Sequence, residues 1–367
     1  MPADDLLREA QRVMTICNAC RYCEGFCAVF PAMELRRVFA PGDLKYLANL
    51  CHNCRGCYYA CQYAPPHEFM LNVPKTLAQL RRETYKEFAR PLALGRLFEK
   101  NGRALAWITA GCLLLALGLT LGFQPRELIL GVHQGERAFY KVIPYDFMVW
   151  PFLALGCAVS VFLVNGIISF WRGIGGRPRE LWDWAANLRA LGDALRLTYL
   201  GGGGHGCNYP DERFSNARRW LHQTLFYGFF LTGVSTALAA LHDHFLGRMA
   251  PYPFWSWPVV LGGLGGLGIM AGGLGLLYLK AKVDRAPADE GALSMDIGFT
   301  VLLLLTALSG ILLLLFRDTW AMGLLLAVHL GFVGAFFLSL PCGKFVHAVY
   351  RYAALVRNAQ ERIREGK

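Results

Sequence analysis

Acidic residues are scarce in this chain. Against 37 Lys and Arg stand 26 Asp and Glu, and the four types together make up 17% of 367 residues. A soluble domain carries about 25%. The composition is also 55% hydrophobic with positive mean hydropathy, too apolar for a soluble protein of this length. The first sixteen residues start with acidic side chains and read as a short amphipathic helix. They lack the charged-then-apolar form of a targeting segment, so no secretory leader is expected. A nucleotide fold is missing as well. Gly263-x-Gly265-x-x-Gly268 has the dinucleotide spacing, but that fingerprint needs a strand before it and a helix after it. Here it lies in an apolar run with eight glycines, including Gly262-x-x-x-Gly266, and reads as close helix packing. No flavin or nicotinamide fold is expected in this chain.

What is present begins with cysteine. Cys17, Cys20, Cys23 and Cys27 read C-x-x-C-x-x-C-x-x-x-C, and Cys51, Cys54, Cys57 and Cys61 repeat the spacing. This is the bacterial ferredoxin run, in which three thiolates hold one [4Fe–4S] cube and the fourth crosses to the other. The expected sets are Cys17, Cys20, Cys23 with Cys61, and Cys51, Cys54, Cys57 with Cys27. Zinc sites use cysteine pairs and would leave thiols over. Disulfides suit neither the regular pattern nor the expected reducing compartment. One departure is that Ala28 and Gln62, not proline, follow the fourth cysteines. That bears on cluster environment, not on ligand count. Of the remaining cysteines, Cys112, Cys157, Cys207 and Cys342, the first two fall in apolar runs and read as packing residues.

Between the motifs, Met33 to Phe39 and Leu44 to Leu50 are expected to be helical, broken at Pro41–Gly42. Residues 67–100 read as a helix and connector near a membrane surface. Six apolar runs follow, at about 104–123, 147–171, 220–241, 257–279, 296–316 and 321–341. Each is near the ~20 residues that cross a hydrocarbon core. Trp107, Trp150, Trp171, Trp220, Trp257 and Trp320 sit near run ends, as interfacial anchors do. The segment 172–219 carries eight basic residues and 342–367 carries six, against three in 124–146 and one in 242–256. The positive-inside rule puts both termini and the cysteine domain in the cytoplasm. The net charge of +11 is then an orientation signal, and nucleic-acid binding is not expected.

Ionisable residues in or beside membrane spans are functional candidates. His222 opens the third span, His242 and His244 close it, His329 lies within the sixth, and His347 lies just past it. Histidine is the usual axial ligand of haem iron. His329 and His347 are 18 residues apart, which on one continuous helix is five turns and one face. Antiparallel spans then match His222 with His347 in depth, and His242 or His244 with His329. One b haem is expected, with room for a second. His52, His67, His133 and His205 read as surface or loop residues. The run Gly201-Gly202-Gly203-Gly204-His205-Gly206-Cys207-Asn208-Tyr209-Pro210 follows an amphipathic stretch at 180–199. It reads as a flexible loop, with docking of the cysteine domain or a partner as the sharper alternative.

The order CNACRYCEGFCAVFPAMELRR, LCHNCRGCYYACQYAPPHEF, GGGGHGCNYPDERFSNARRWLHQ and LLLAVHLGFVGAFFLSLPCGKFVHAVYRYAALVR resembles the tricarballylate-utilisation protein B (CitB) family nearly end to end. The last span and its exit also resemble, over one helix, the di-haem subunit of respiratory nitrate reductases. The CitB resemblance implies a bacterial inner-membrane protein that reoxidises a separate FAD-dependent tricarballylate dehydrogenase and passes electrons to a membrane quinone. The expected fold is mainly α: a dicluster ferredoxin-like helical domain (1–100), a six-helix transmembrane haem-binding bundle (101–350) and a basic cytoplasmic tail (351–367). The rival readings are the same redox chain with another flavoprotein or a thiol/disulfide donor, a redox sensor, or a transporter. Transport would predict inverted repeats, and none is evident.

Overall fold

The computed structural model describes residues 3–366; Met1, Pro2 and Lys367, which the first domain and the tail include, lie outside the described residues. The helices are α1 (Ala3–Cys20), α2 (Val29–Glu34), α3 (Pro41–Leu50), α4 (Gly56–Tyr59) and α5 (Val73–Phe88), then α6 (Asn101–Phe123), α7 (Arg126–Ile129), α8 (Ala138–Val142), α9 (Tyr145–Gly173), α10 (Trp184–Arg196), α11 (Ala217–Phe245), α12 (Trp257–Ala281), α13 (Leu293–Phe316), α14 (Met322–Ser339) and α15 (Val346–Arg364). A single antiparallel bridge pairs Cys207 with Ser215 and Asn208 with Phe214. Six helices, α6, α9, α11, α12, α13 and α14, are long and apolar enough to cross a membrane. The protein is a multi-pass membrane protein.

Local chemistry explains the small helices. Asn72 caps α5 by accepting from the Lys75 N–H at 3.2 Å, with Pro74 in the first turn. Asp183 caps α10 by accepting from the Ala186 N–H at 3.1 Å. Pro41 opens α3 rather than breaking a helix, and the stretch before it is helical only from Val29 to Glu34, not to Phe39. The helix at 73–88 is not a surface connector. Leu77, Leu80, Thr84, Tyr85 and Phe88 are buried in it, and it is the central member of the cysteine domain, packed on α1, α3 and α9.

Two departures from the expected topology matter for the site. The sixth span does not run on to His347. Pro341 and Gly343 end it through a 3-10 turn at Leu340–Cys342, and Gly343 is extended. Pro341 has no N–H to continue the ladder. His347 therefore opens a new helix rather than sharing a face with His329. The stretch expected as a basic tail is that helix. In α15, Val346, Tyr350, Ala353, Ala354, Leu355, Val356 and Ala359 are buried against α3, α9 and α10. The charges on its other face form a network: Arg36 reaches Glu361 at 2.5 Å and Asp43 at 2.7 Å, Arg357 reaches Glu361 at 3.2 Å, and the Tyr46 hydroxyl donates to Glu361 at 3.0 Å. This network ties the last helix to the first domain.

In the bundle, the glycines of α12 do what their spacing predicts. A methyl group on Gly228 of α11 would lie 2.8 Å from the Gly265 carbonyl oxygen, and one on Gly265 would lie 2.7 Å from that of Gly228. Gly266 faces Ile311 of α13 instead, so α12 is wedged between two neighbours. Trp107, Trp150, Trp220, Trp257 and Trp320 are exposed, as anchors should be, but Trp171 is 1% exposed and donates its indole N–H to the Arg177 carbonyl at 2.8 Å. Outside the bundle, α10 buries Ala186 and Ala190 against α15 and leaves Trp184, Leu188, Leu191 and Leu195 uncovered, as is Trp182 in the turn before it, the pattern of a helix lying in the membrane interface.

Replacing Glu361 with alanine leaves Arg36, Arg357 and the Tyr46 hydroxyl without their shared acceptor. We expect a loss of about 2–3 kcal/mol, near the low end for breaking a buried ion pair, read as a shift of the denaturation midpoint of the detergent-solubilised protein. Glu361→Gln should recover part of it.

Candidate functional site

The eight motif cysteines gather at one end of the bundle. Cys17 and Cys20 lie in the last turn of α1, Cys23 and Cys27 in the loop after it, and Cys51, Cys54, Cys57 and Cys61 flank and enter α4. Cys17, Cys20, Cys23 and Cys61 line one hollow of about 190 Å³, walled by Phe30, Leu71, Val73 and Tyr63. Cys27, Cys51 and Cys54 line a second, and Cys57 borders both. The fourth cysteine of each motif is therefore placed with the other motif's first three. The first hollow has space for several water-sized groups and fits a multi-atom inorganic group. The second, of about 10 Å³, brings together Cys27, Cys51, Cys54 and Cys57, a donor set that suits the same group. Among the described residues, no three His, Cys, Asp or Glu side chains have the spacing of a metal-ion site.

Burial, with the neighbouring cysteines adding to it, pushes the Cys17 and Cys23 thiols up to about 12. They are protonated at neutral pH until a soft cation displaces the proton. Cys54 runs the other way, pulled to about 6 first by the hydrogen bond from Cys27 and then, against burial, by the Gly56 N–H and Arg218.

The glycine run is not a free loop. Gly203 packs against the Gly25 carbonyl, the Asn208 N–H donates to the Cys54 carbonyl at 3.0 Å, and buried Cys207 donates its thiol proton to the Leu200 carbonyl at 3.0 Å. The Tyr209 ring lies between two guanidiniums, Arg55 at 4.8 Å and Arg218 at 4.7 Å. The loop thus clasps the second cysteine motif, and positive φ at Gly202, Gly203, Gly204 and Gly206 explains why glycine recurs.

Two histidines meet beside this clasp. His222, one turn into α11, and His347, at the start of α15, have ring centroids 6.4 Å apart with planes nearly perpendicular. Neither hydrogen-bonds the other. The His347 Nδ1–H donates to the Lys344 carbonyl at 2.6 Å, which leaves its Nε2 lone pair free to ligate. His222 Nδ1 is buried with no hydrogen-bond partner. Two metal–imidazole bonds of about 2 Å placed end to end separate ring centres by roughly 6–6.5 Å. The pair and its orphaned nitrogen therefore fit one shared metal centre. One turn before His222, Arg218 donates to the Asn53 carbonyl at 2.6 Å; one turn after His347, Arg351 donates to the Cys51 carbonyl at 3.0 Å. Both histidine-bearing helices thus grip the loop of the second cysteine motif.

The remaining histidines are placed otherwise. His329 packs its ring over Gly310 and shares a 3.0 Å hydrogen bond with Ser309. His242 lies edge-on to Tyr252 and His244 beside Tyr145, and neither is in ring contact with His329 among the described residues. His52 lies in a loop as expected but is buried, its Nδ1 on the Leu50 carbonyl at 2.8 Å and its ring 5.7 Å from Tyr199. Burial, then Arg351, holds it well below the ordinary histidine range, so it is neutral. The sequence reading missed Arg55, Arg81, Arg218 and Arg351 as site residues. The signal was available in Arg218 and Arg351, each four residues from a candidate histidine.

A ferredoxin-like helical domain joined to six membrane-crossing helices defines the class: a multi-pass membrane protein with an iron–sulfur-type cysteine domain. Residues 99–367 match the family model described as citrate utilization protein B, and residues 10–87 match its Fer4-like domain. The chain is 47% identical to the Escherichia coli protein named citrate utilization protein B, over 98% of this chain and 93% of that one. It belongs to the citrate utilization protein B family. No solved structure matches it.

Two cation–π contacts at about 1 kcal/mol each hold Tyr209 in the clasp. Tyr209→Ala is therefore expected to raise local opening of residues 201–210 about thirtyfold, seen as faster hydrogen exchange there and earlier tryptic cleavage after Arg213, with the bundle amides unchanged.

Proposed function

We propose that this protein carries electrons from a flavoprotein partner into the membrane. Cys17, Cys20, Cys23 and Cys61 would hold one [4Fe–4S] cluster, and Cys51, Cys54, Cys57 and Cys27 a second. His222 and His347 would hold one b haem. When bound, these groups supply one-electron carriers that the polypeptide lacks. The chain's own residues do the rest. The cysteine hollows gather the thiols, α11 and α15 fix the two imidazoles, and Arg218 and Arg351 hold both helices against the second cysteine loop. The observation that carries this reading is the facing pair His222 and His347, each one turn from an arginine that grips that loop.

The partner side is the first cysteine set. Its hollow is open to the surface, exposed Tyr22 and half-buried Tyr63 line it, and exposed Phe69 packs against Tyr63 with ring centroids 5.5 Å apart. An exposed aromatic rim beside a candidate redox site suits a transient flavoprotein contact. The donor is a separate FAD-dependent dehydrogenase of the tricarballylate type. The relative's name speaks of citrate utilization, and citrate like tricarballylate is a tricarboxylate, which supports a donor acting on that class of acid. The electrons leave to a membrane quinone. By the positive-inside rule the cysteine end faces the cytoplasm of a bacterial inner membrane.

The test is a dithionite-reduced optical spectrum with iron and porphyrin assays on anaerobically purified protein. About eight irons in clusters and one b-type α band per chain are expected. His222→Ala and His347→Ala should each abolish the α band while leaving cluster iron in place, and His329→Ala should keep the band. A chain with no extractable porphyrin overturns the haem assignment. Loss of the band only in His329→Ala would move the ligand to the far side of the bundle.

A further inference from the structure

We propose that Arg55, Arg81, Arg218 and Arg351 make the second cysteine set the electron sink of the cysteine domain, which gives the domain a one-way gradient from the first set toward His222 and His347. The inference rests on the reading that both sets hold iron–sulfur clusters.

Three of the guanidiniums bond the loop of the second motif, and Arg55 is itself a residue of that motif, its guanidinium over the Tyr209 ring. Arg81 donates to the Cys51 carbonyl at 2.7 Å and to that of Ala48 at 3.2 Å. Arg351 donates to the Cys51 carbonyl at 3.0 Å and to that of Asn49 at 3.3 Å. Arg218 donates to the Asn53 carbonyl at 2.6 Å, and Arg55 to that of Asp284 at 3.0 Å. Arg55 and Arg81 are buried. None of the four is in an ion pair with a carboxylate among the described residues. The side chain of Asp284, which could have answered Arg55, accepts instead from the Tyr59 hydroxyl at 2.6 Å and from the Ala286 N–H at 2.9 Å.

This is not how the same domain treats buried Arg36 or half-buried Arg357. Arg36 and Arg357 have Asp43 and Glu361. Buried and half-buried cations answered mainly by carbonyl dipoles and one aromatic face are poorly compensated. The anion they lack is what a thiolate-bound iron–sulfur group supplies. Adding an electron there adds negative charge with no proton to neutralise it, and four fixed cations favour that step. The Asn53 N–H, directed at Cys51 Sγ at 3.4 Å, acts in the same sense.

Burial opposes it, since Cys51, Cys54 and Cys57 of the second set are buried, with Cys27 half-buried, while Cys17, Cys20, Cys23 and Cys61 are all half-buried. The four attractions add together and, for buried or partly buried groups, are weakly screened, whereas the two sets differ only in degree of burial. At the first motif the neighbouring cation is Arg21, which is exposed, bonds the Asn18 carbonyl at 3.1 Å and is open to screening by salt. One electron leaves the first site and one arrives at the second, with no bond made or broken and no proton moved. The reductant that refills the first site is the reduced flavin of the partner.

The experiment is a redox titration of the detergent-purified full chain, followed by electron paramagnetic resonance of the two reduced clusters. Removing one cation, in Arg218→Gln or Arg55→Gln, should lower the higher of the two midpoints by at least a tenfold change in the one-electron equilibrium, about 59 mV. The lower midpoint should stay put. Arg218→Lys and Arg55→Lys, which keep the charge, should return at least half of the shift, and Arg21→Gln should move neither midpoint by this amount. Should Arg218→Gln fail to assemble its cluster, Arg55→Gln decides, because its hydrogen bond goes to Asp284 and not to the cysteine loop. A shift confined to the lower midpoint, or two intact clusters with unmoved midpoints, overturns the gradient alone. A wild-type chain with no cluster signals takes the cluster reading down with it.

Discussion

A charge removed from water must be answered by an opposite charge or by hydrogen bonds that replace its hydration. The cysteine end of this protein answers its arginines in both ways, and the architecture follows from the difference. Arg36 and Arg357 are neutralised by Asp43 and Glu361, and that network fastens the last helix to the first domain. Arg81, Arg218 and Arg351 are held by main-chain carbonyls of residues 48–53. The first arrangement is a structural tie. The second keeps positive charge beside thiols, and it brings α5, α11 and α15 to one short loop. Residues nearly 300 positions apart in the chain meet there because a guanidinium can donate to several acceptors in a fixed plane.

The meeting point has a further consequence for the histidines. Arg218 and Arg351 are each one helical turn from a ring, so the grip on the cysteine loop also sets the depth and phase of His222 and His347. The close contact of α11 with α12 through Gly228 and Gly265 fixes the lateral position of His222. The turn at Leu340–Cys342 frees α15 from the sixth span's axis and lets it tilt into the cysteine domain while carrying His347. Placing the imidazole pair thus draws on the ion network, the glycine wedge and the proline turn together.

Much of this was legible in the sequence. The cysteine spacing, the six apolar runs and the family resemblance are strong periodic or motif signals, and the glycine-rich span reads as packing because a dinucleotide motif has no strand to follow there. What was not legible was long-range. The stretch after Cys342 has six basic residues and reads as a tail, because its buried apolar face needs α3 and α10 to be recognised as such. Pro341 and Gly343 were in view, yet whether such a pair kinks a helix or ends it depends on what the next turn packs against. The Gly201–Pro210 run reads as flexible from composition alone. Its order comes from contacts with Gly25 and Cys54, some 150 or more positions away. Trp171 sits at a span end like the other tryptophans but turns inward to the Arg177 carbonyl, a choice made by tertiary contact.

The clasp around the second motif also orders events on the ribosome. Cys51 to Cys61 are synthesised early, but the groups that enclose them arrive late: Asn208 and Arg218 after the second span, and Arg351 only once the final span is complete. Both hollows are lined by residues no later than Leu77, so at about 5–20 residues per second it is the clasp over the second motif, not its walls, that arrives many seconds later. Assembly therefore has a built-in sequence: the walls of both hollows are present early in the nascent chain, and the second is clasped only after the whole bundle has been threaded into the bilayer. A chain stalled or truncated before its last helix would present an open second motif to the cell, a form that quality-control proteases can tell from the finished protein.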